Sequence, residues 1–520
     1  MHVESVADIA RVHGAERPDS VAILFGDRRL TYGQLDERSN RVANALAAEG
    51  VQPQERVAFL DKNVPEFFEV VFGATKLNAV LCAVNWRLAP PEAAYIVNDA
   101  EAKVLVVGQD LLPMLDAMAS ELTTVKKFVV VGDGGTHESY ETWLERHDST
   151  DPNVAAGPDD VAFQFYSSGT TGLPKGVMLT NANCFSNVEA NNDLLGFDAD
   201  SVCHVVMPLF HVAGGFWGIL GLYNGIPNVL MHEVDPAQIL RDIQEHRVTH
   251  TVMVPAVIQF VLMLPETADA DFGSLELIVY GASPISEDVL RRAIEVFGCD
   301  FVQAYGLTET AGGCVILPAD DHDPDGPNSH RLRAAGKAAS NTEVKVVDAE
   351  TLEEVPAGTV GEILVRSPQN MIGYWKMPEA TADTILPDGF LRTGDGGYLD
   401  EDGYVYIHDR IKDMIISGGE NVYPAEVENA LMSHPGIADV AVIGVPSDRW
   451  GETPKAIVVA APGAELDEAE IIAFAKSRLA GYKCPTSVDF IDTLPRNPSG
   501  KILKKDLRAP YWEGRERQVH

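Results

Sequence analysis

From Val21 the apolar residues alternate between two periods, and each change of period predicts a new element. A strand, a turn at Gly26-Asp27 and a second strand lead into a helix. The helix is opened by a Thr31-x-x-Gln34 capping box, with Leu35, Val42 and Leu46 on one face and Gly50 at its close. The pattern continues as strand (Arg56 to Leu60), helix (Pro65 to Lys76), strand (Ala79 to Ala83), helix, and strand (Lys103 to Val107). Further on, a helix is predicted over Ala256 to Leu264 and a strand over Leu275 to Tyr280. Such alternation predicts a mostly parallel sheet covered by helices.

Later the texture shifts to short strands and Gly/Asp turns, as in Thr342 to Val347, Gly361 to Arg366 and Gly403 to His408, which predicts a small β-barrel subdomain. A third texture follows. A helix starts at Pro424, a residue suited to a first helical turn, and strands follow over Asp439 to Ile443 and Ala456 to Val459. A helix over Asp467 to Leu479 stops at Gly481 and Pro485, ahead of a strand over Val488 to Ile491. The fold class expected is therefore α/β: a large N-terminal domain over 1–410, of helix-covered, mostly parallel sheets plus the β subdomain, and a smaller α+β C-terminal domain over 411–520.

The chain's 520 residues exceed what one core supports, and an apolar share of 46% is ample for more than one. With 40 basic and 77 acidic side chains the net charge is −37, which argues against nucleic acid as a partner. Cys82, Cys184, Cys203, Cys299, Cys314 and Cys484 lack metal-site or disulfide-framework spacing, which fits a reducing compartment. The N-terminal residues show no signal-peptide pattern and no apolar run reaches transmembrane length, so a cytoplasmic protein is expected. A peripheral membrane contact and a homo-oligomer are both compatible with this composition.

Candidate chemistry concentrates in four segments. Tyr166 to Gly176 (YSSGTTGLPKG) gathers hydroxyls, glycines and Lys175 behind an apolar strand, a pattern able to grip a polyphosphate through backbone N–H groups, hydroxyls and a point charge. It is no Walker A loop, because Pro174 precedes Lys175 and Gly176 follows it where a Gly-Lys-Ser/Thr ending is needed. Gly281-Ala282-Ser283-Pro284 and Tyr305-Gly306-Leu307-Thr308-Glu309-Thr310 both sit at strand-to-loop junctions, where doubly wound sheets place ligands. There an aromatic ring can stack a purine, Thr308 can donate to a phosphate, and Glu309 offers the oxygen that magnesium prefers. Arg392-Thr393-Gly394-Asp395 holds a carboxylate suited to ribose hydroxyls, and Pro495 to Lys501 presents a lysine on a constrained loop. Each of the last two is weak alone.

In this order the segments resemble the adenylate-forming superfamily of acyl-CoA synthetases, carrier-protein adenylation domains and beetle luciferases, and the resemblance spans nearly the whole chain. Asp409 to Pro424 (DRIKDMIISGGENVYP) looks like the hinge region of the fatty acyl-CoA synthetase branch, the medium- and long-chain enzymes in particular. The resemblance implies a two-step ligase in which a carboxylate attacks the α-phosphate of ATP to give acyl-AMP and pyrophosphate, and CoA then displaces AMP. It implies phosphate binding by Ser167, Ser168, Gly169, Thr170, Thr171, Gly172 and Lys175. AMP would contact Gly281, Ala282, Ser283, Tyr305, Gly306, Asp395 and Arg410. Mg2+ would sit on Glu309 beside Thr308, and Lys501 would be the catalytic lysine. A mobile C-terminal domain would pivot at Lys412, bringing Ser417, Gly418, Gly419 and Lys483 towards CoA.

Pro208 to Gly215 (PLFHVAGG) resembles the segment lining the acyl site, with His211 near the carboxylate and Val212 beside it. Amino-acid-activating relatives usually have aspartate in place of His211, so an amino acid is disfavoured. Ala213 stands where 4-coumarate-CoA ligases typically carry tyrosine, which predicts a wider pocket. Trp217 and Ala304 stand where a smaller residue and a glycine often sit, which predicts a shortened or bent one. The substrate expected is a medium or long aliphatic, or a bulky alicyclic, acid. Competing readings are a carrier-protein-loading adenylation enzyme, an aryl-CoA ligase, a luciferase-like oxygenase and a silent nucleotide-binding protein. Asn78 and Ala83 replace a glycine and a proline of the family pattern, a change expected to affect packing. Asp321-x-Asp323-x-Asp325-Gly326 opens like a calcium loop, but Leu332 occupies the position of the closing glutamate, so a solvated acidic loop is expected.

Overall fold

The computed structural model describes residues 3–513 apart from 168–172, 284, 411–412, 418–419, 448 and 497–500, and only the backbone of 409, 410, 420 and 421. The N-terminal hairpin pairs Val21–Phe25 with Arg28–Thr31 and leads into the helix Tyr32–Ala48. Its capping box is complete: Gln34 N–H donates to Thr31 Oγ1 at 3.2 Å and Thr31 N–H to Gln34 Oε1 at 2.9 Å. Leu35, Val42 and Leu46 are fully buried, and the helix Glu66–Lys76 lies against them. Gly73 permits that approach, since a Cβ there would stand 2.4 Å from Val42 Cγ1. The unusual Asn78 has φ of 54°, a left-handed conformation that asparagine tolerates better than most residues. Its side chain also ties three segments together, donating to Asp160 Oδ2 and Ala155 O and accepting from Gln54 Nε2.

Two large, mostly parallel sheets form the N-terminal part. One has eight strands, in which Val80–Ala83, Arg56–Leu60, Val104–Gly108 and Lys127–Val131 are parallel to Val161–Ser167. The other has nine, with a parallel centre of Cys203–Val205, His250–Met253, Leu277–Gly281 and Asp300–Leu307. The helix Val212–Tyr223 is almost wholly buried between them. Phe216 meets Phe163 and Phe165 of the first sheet, while Trp217 Nε1 donates to His204 O at 3.0 Å and Asn228 Nδ2 to Gly218 O at 2.7 Å in the second. Gly218 and Gly221 make room, since a Cβ on either would fall 2.5 Å from Phe68 or 2.1 Å from Asn228.

The small β subdomain is a four-stranded antiparallel sheet of Glu343–Val347, Gly361–Arg366, Leu391–Leu399 and Val405–Arg410. The C-terminal unit packs the helices Pro424–Met432 and Glu468–Lys476 on a five-stranded sheet dominated by the hairpin Ile437–Ser447 and Gly451–Ala460. That hairpin is much longer than its apolar cores suggested, because the ladder runs on through Pro446 and Thr453. The six cysteines are free thiols. Among the described residues no helix is long and apolar enough to cross a membrane, and no three or more His, Cys, Asp or Glu side chains cluster as a metal cage. In the acidic loop, Asp321 instead accepts from Arg331 and Tyr404, and Leu332 is core.

Candidate active site

Flanking the candidate phosphate-binding segment, Val161–Ser167 pairs antiparallel with Lys175–Thr180, with Ser167 opposite Lys175. A strand, not a helix, follows the loop, which is a second departure from the Walker arrangement. Ser168, Gly169, Thr170, Thr171 and Gly172 lie outside the described residues. At the hairpin's base Ser167 Oγ donates to Glu309 Oε1 at 2.9 Å. Glu309 and Thr308 belong to a 3-10 turn, Thr308–Thr310, at the end of the strand Asp300–Leu307, and Met371 N–H donates to the Glu309 carbonyl at 2.8 Å. The end of the strand Val161–Ser167 and the proposed metal-holding turn, distant in sequence, are thus joined directly.

One residue in this cluster escaped the sequence reading. Tyr374 donates its hydroxyl to the same Glu309 Oε1 at 2.9 Å, and Lys175 Nζ stands 4.7 Å from the centre of its ring. Its only sequence signal is the Gly373-Tyr374-Trp375 run, which reads as an ordinary aromatic turn. Only the pairing of Gly373–Tyr374 with Val177 and Met178 brings it to the loop.

Gly281, Ala282 and Ser283 leave the strand Leu277–Gly281 next to Ala304, Tyr305 and Gly306 on the neighbouring strand. Close approach explains both glycines: a Cβ on Gly281 would lie 2.0 Å from Ala304 O, and one on Gly306 1.8 Å from Gly312 O. Ala282 has φ of 64°, a strained turn for a residue with a Cβ. Tyr305 donates to Asp395 Oδ2 at 2.7 Å, and burial together with the Asp395 charge raises its phenol pKa well above the usual value. Asp395 is buried on the strand Leu391–Leu399 and lies opposite Arg410 across the ladder. The Arg410 side chain is outside the described set.

His211 caps the helix Val212–Tyr223, its Nδ1 accepting the Ala213 N–H at 3.2 Å. Burial depresses its pKa to about 4, so the ring is neutral near pH 7 and carries its proton on Nε2. A neutral N–H donor suits a carboxylate or acyl-phosphate oxygen without an added charge. Val212 is buried, Ala213 half-buried, and Val212 Cγ1 lies 3.7 Å from where a Gly312 Cβ would stand. Ala304 is half-buried and abuts Gly313. Trp217, in contrast, is 6% exposed, hydrogen-bonded to His204 O and beside Phe197, which makes it part of the inter-sheet core.

In the C-terminal unit Lys501 is half-buried next to Ile502, which bridges Arg496, and the helix Lys504–Trp512 follows. Ser417 is buried and pairs with Glu420 and Gly451. Lys412, Gly418 and Gly419 lie outside the described residues. Lys483 is engaged by Glu426, at 2.7 and 2.8 Å, and although burial opposes it, that carboxylate raises the amine's pKa. A contact across the two parts runs from Gln259 Nε2 to Ala438 O at 3.4 Å.

A divalent cation fits this donor set only in partnership with phosphates. Glu309 supplies one carboxylate whose Oε2 receives no donor among the described residues, the sparse all-oxygen provision that Mg2+ accepts when a polyphosphate completes its shell. Glu309 would hold the ion, while Ser167 and Lys175 would meet the oxygens of a leaving pyrophosphate.

A hairpin of one sheet bonded to a strand-end turn of the other, glycine turns on the neighbouring strands and a separate C-terminal unit bearing Lys501 form the arrangement expected of a nucleotide-dependent activating enzyme. The chain belongs to the AMP-binding enzyme family, which matches residues 10–375, and the AMP-binding enzyme C-terminal domain matches 426–501. It is an AMP-forming acyl ligase of the adenylate-forming superfamily. It is 39% identical over 523 residues to the fatty acid–[acyl-carrier-protein] ligase ScoC of Streptomyces coeruleorubidus, covering 100% of this chain and 98% of the relative. It is 37% identical over 489 residues to the long-chain-fatty-acid–CoA ligase FadD13 of Mycobacterium tuberculosis, covering 93% and 94%. Among solved structures, the anthranilate CoA ligase AuaEII in complex with anthranoyl-AMP superposes with a TM-score of 0.90 at 29% identity, over 98% of each chain.

Proposed function

We propose that this ligase adenylates a medium or long aliphatic, or bulky alicyclic, carboxylic acid and transfers the acyl group to CoA. The observation carrying the reading is the neutral His211 beside the small Ala213 at the start of a buried helix, a setting that offers a hydrogen bond but no charge to hold an ammonium group. The first step brings two anions together. Ser167, Lys175 and a magnesium ion on Glu309 would offset the pyrophosphate charge, Tyr305 would border the adenine, and Asp395 with Arg410 would hold the ribose. Lys501 would meet the carboxylate and α-phosphate oxygens. A boundary between 1–410 and 411–520, with Lys412 as pivot, would let Lys501 withdraw and bring Ser417, Gly418 and Gly419 to the acyl-adenylate.

The test is AMP release with acids of graded length and shape, with and without CoA. CoA-dependent turnover rising with chain length or alicyclic bulk is expected; a preference for acetate over all longer acids would sink the substrate assignment. A second reading has support of its own, since the relative ScoC, whose name specifies an acyl-carrier-protein acceptor, matches the chain end to end. Pyrophosphate exchange without CoA thioester formation would favour it.

A further inference from the structure

We infer that Tyr374 is the positioning residue that sets Glu309 for the metal and keeps Lys175 free for phosphate, an inference that rests on the proposed role of Glu309. The Glu309 oxygen Oε1 takes two hydroxyl donors at 2.9 Å, from Ser167 and Tyr374, whereas no described residue donates to Oε2. Two donors on one oxygen fix the rotation of the carboxylate and leave the other oxygen for a cation, as outer-shell partners do in metal sites. The face of the same ring receives Lys175 Nζ at 4.7 Å, within cation–π range. A lysine and a glutamate that share a neighbour would ordinarily pair with each other. Here no ion pair joins them, and the tyrosine occupies the place between, bonding the anion through its hydroxyl and the cation through its face.

The ring is well anchored for that task. Tyr374 is 7% exposed, its N–H donates to Thr381 Oγ1 at 2.9 Å, and its strand pairs with Val177 directly after Lys175 and Gly176. Gly373, with φ of 148°, lets the backbone pass Thr381, whose Cγ2 would lie 2.8 Å from a Cβ at that position.

The two functions of the side chain are separable. Tyr374→Phe keeps the ring and loses the hydroxyl; Tyr374→Leu loses both. Mn2+ binding to the full-length protein in the presence of ATP, followed by electron paramagnetic resonance, is expected to weaken about tenfold in Tyr374→Phe. ATP affinity in EDTA, measured by calorimetry, should stay within about twofold of wild type in Tyr374→Phe and fall several-fold in Tyr374→Leu. Wild-type Mn2+ affinity in Tyr374→Phe overturns the proposal. Glu309→Gln separates the two levels: if it too leaves Mn2+ binding unchanged, the metal reading of Glu309 fails, whereas weakening there alone removes only Tyr374. Should Tyr374→Phe not fold, 3-fluorotyrosine at 374 gives an independent readout. Its 19F resonance is expected to shift when Mg2+ is added to the ATP-bound protein, and a static resonance overturns the assignment.

Discussion

The hydroxyl of Tyr305 and the carboxylate of Asp395 meet at 2.7 Å although 90 positions separate them, so the strand that carries the proposed nucleotide turn is fastened to the small β subdomain at the proposed ribose site. A hydrogen bond to a buried carboxylate contributes about 1.5–3 kcal/mol. Tyr305→Phe is expected to lower the thermal midpoint by a few degrees and to raise the KM for ATP about tenfold, leaving the KM for the acid nearly unchanged. Equal increases in both would show that the bond serves the whole site and not the nucleotide.

Lys501→Ala is expected to abolish acid-dependent ATP–pyrophosphate exchange while sparing thioester formation from supplied acyl-AMP and CoA. The reason is charge: its ammonium is assigned to the carboxylate and α-phosphate oxygens, two anions that are brought together only in adenylation. Loss of both half-reactions alike would contradict the assignment.

Asp61 gives the fold a pH dependence. It follows the strand Arg56–Leu60, and burial, against a bond from the Lys62 N–H, pushes its pKa from 3.8 up to about 7. Between those values the native state holds a proton that the unfolded chain has released, so stability falls as pH rises through this window. Asp61→Asn is expected to melt higher than wild type at pH 8, by no more than about 4 kcal/mol, with the gain gone near pH 4. A melting difference that is the same at both pH values would refute this.

Trp217 was expected to shape the acyl pocket, yet its indole bonds His204 O within the core. Trp217→Ala is therefore expected to cost about 3–5 kcal/mol of stability. Trp217→Phe should cost about 1 kcal/mol for the lost hydrogen bond, with little change in the preferred acid. A marked lengthening of the preferred chain in Trp217→Phe, with an unchanged thermal midpoint, would return Trp217 to the pocket wall.

Local order was the most legible. The strands Arg56–Leu60 and Gly361–Arg366 and the helix start at Pro424 follow from apolar period and one proline, because those choices are made by neighbours in sequence. The Thr31–Gln34 capping box did so as well, since both partners lie within one helical turn. Extents were less legible: the hairpin Ile437–Ser447 with Gly451–Ala460 runs through polar and proline positions because cross-strand bonds, not side-chain period, hold it.

The sequence by itself determined the chemistry available: a hydroxyl- and glycine-rich loop, a carboxylate at a strand end, a second carboxylate on a turn and a lysine near the C-terminus, in an order that belongs to one family of ligases. The tertiary structure decided which of these groups meet. That Ser167 and Tyr374 share one oxygen of Glu309, that Tyr305 reaches Asp395, and that Trp217 turns into the core all depend on strand pairings and burial between residues far apart in the chain. Such contacts leave no periodic trace, because the side chains that complete them are chosen by position in space and not by spacing along the backbone.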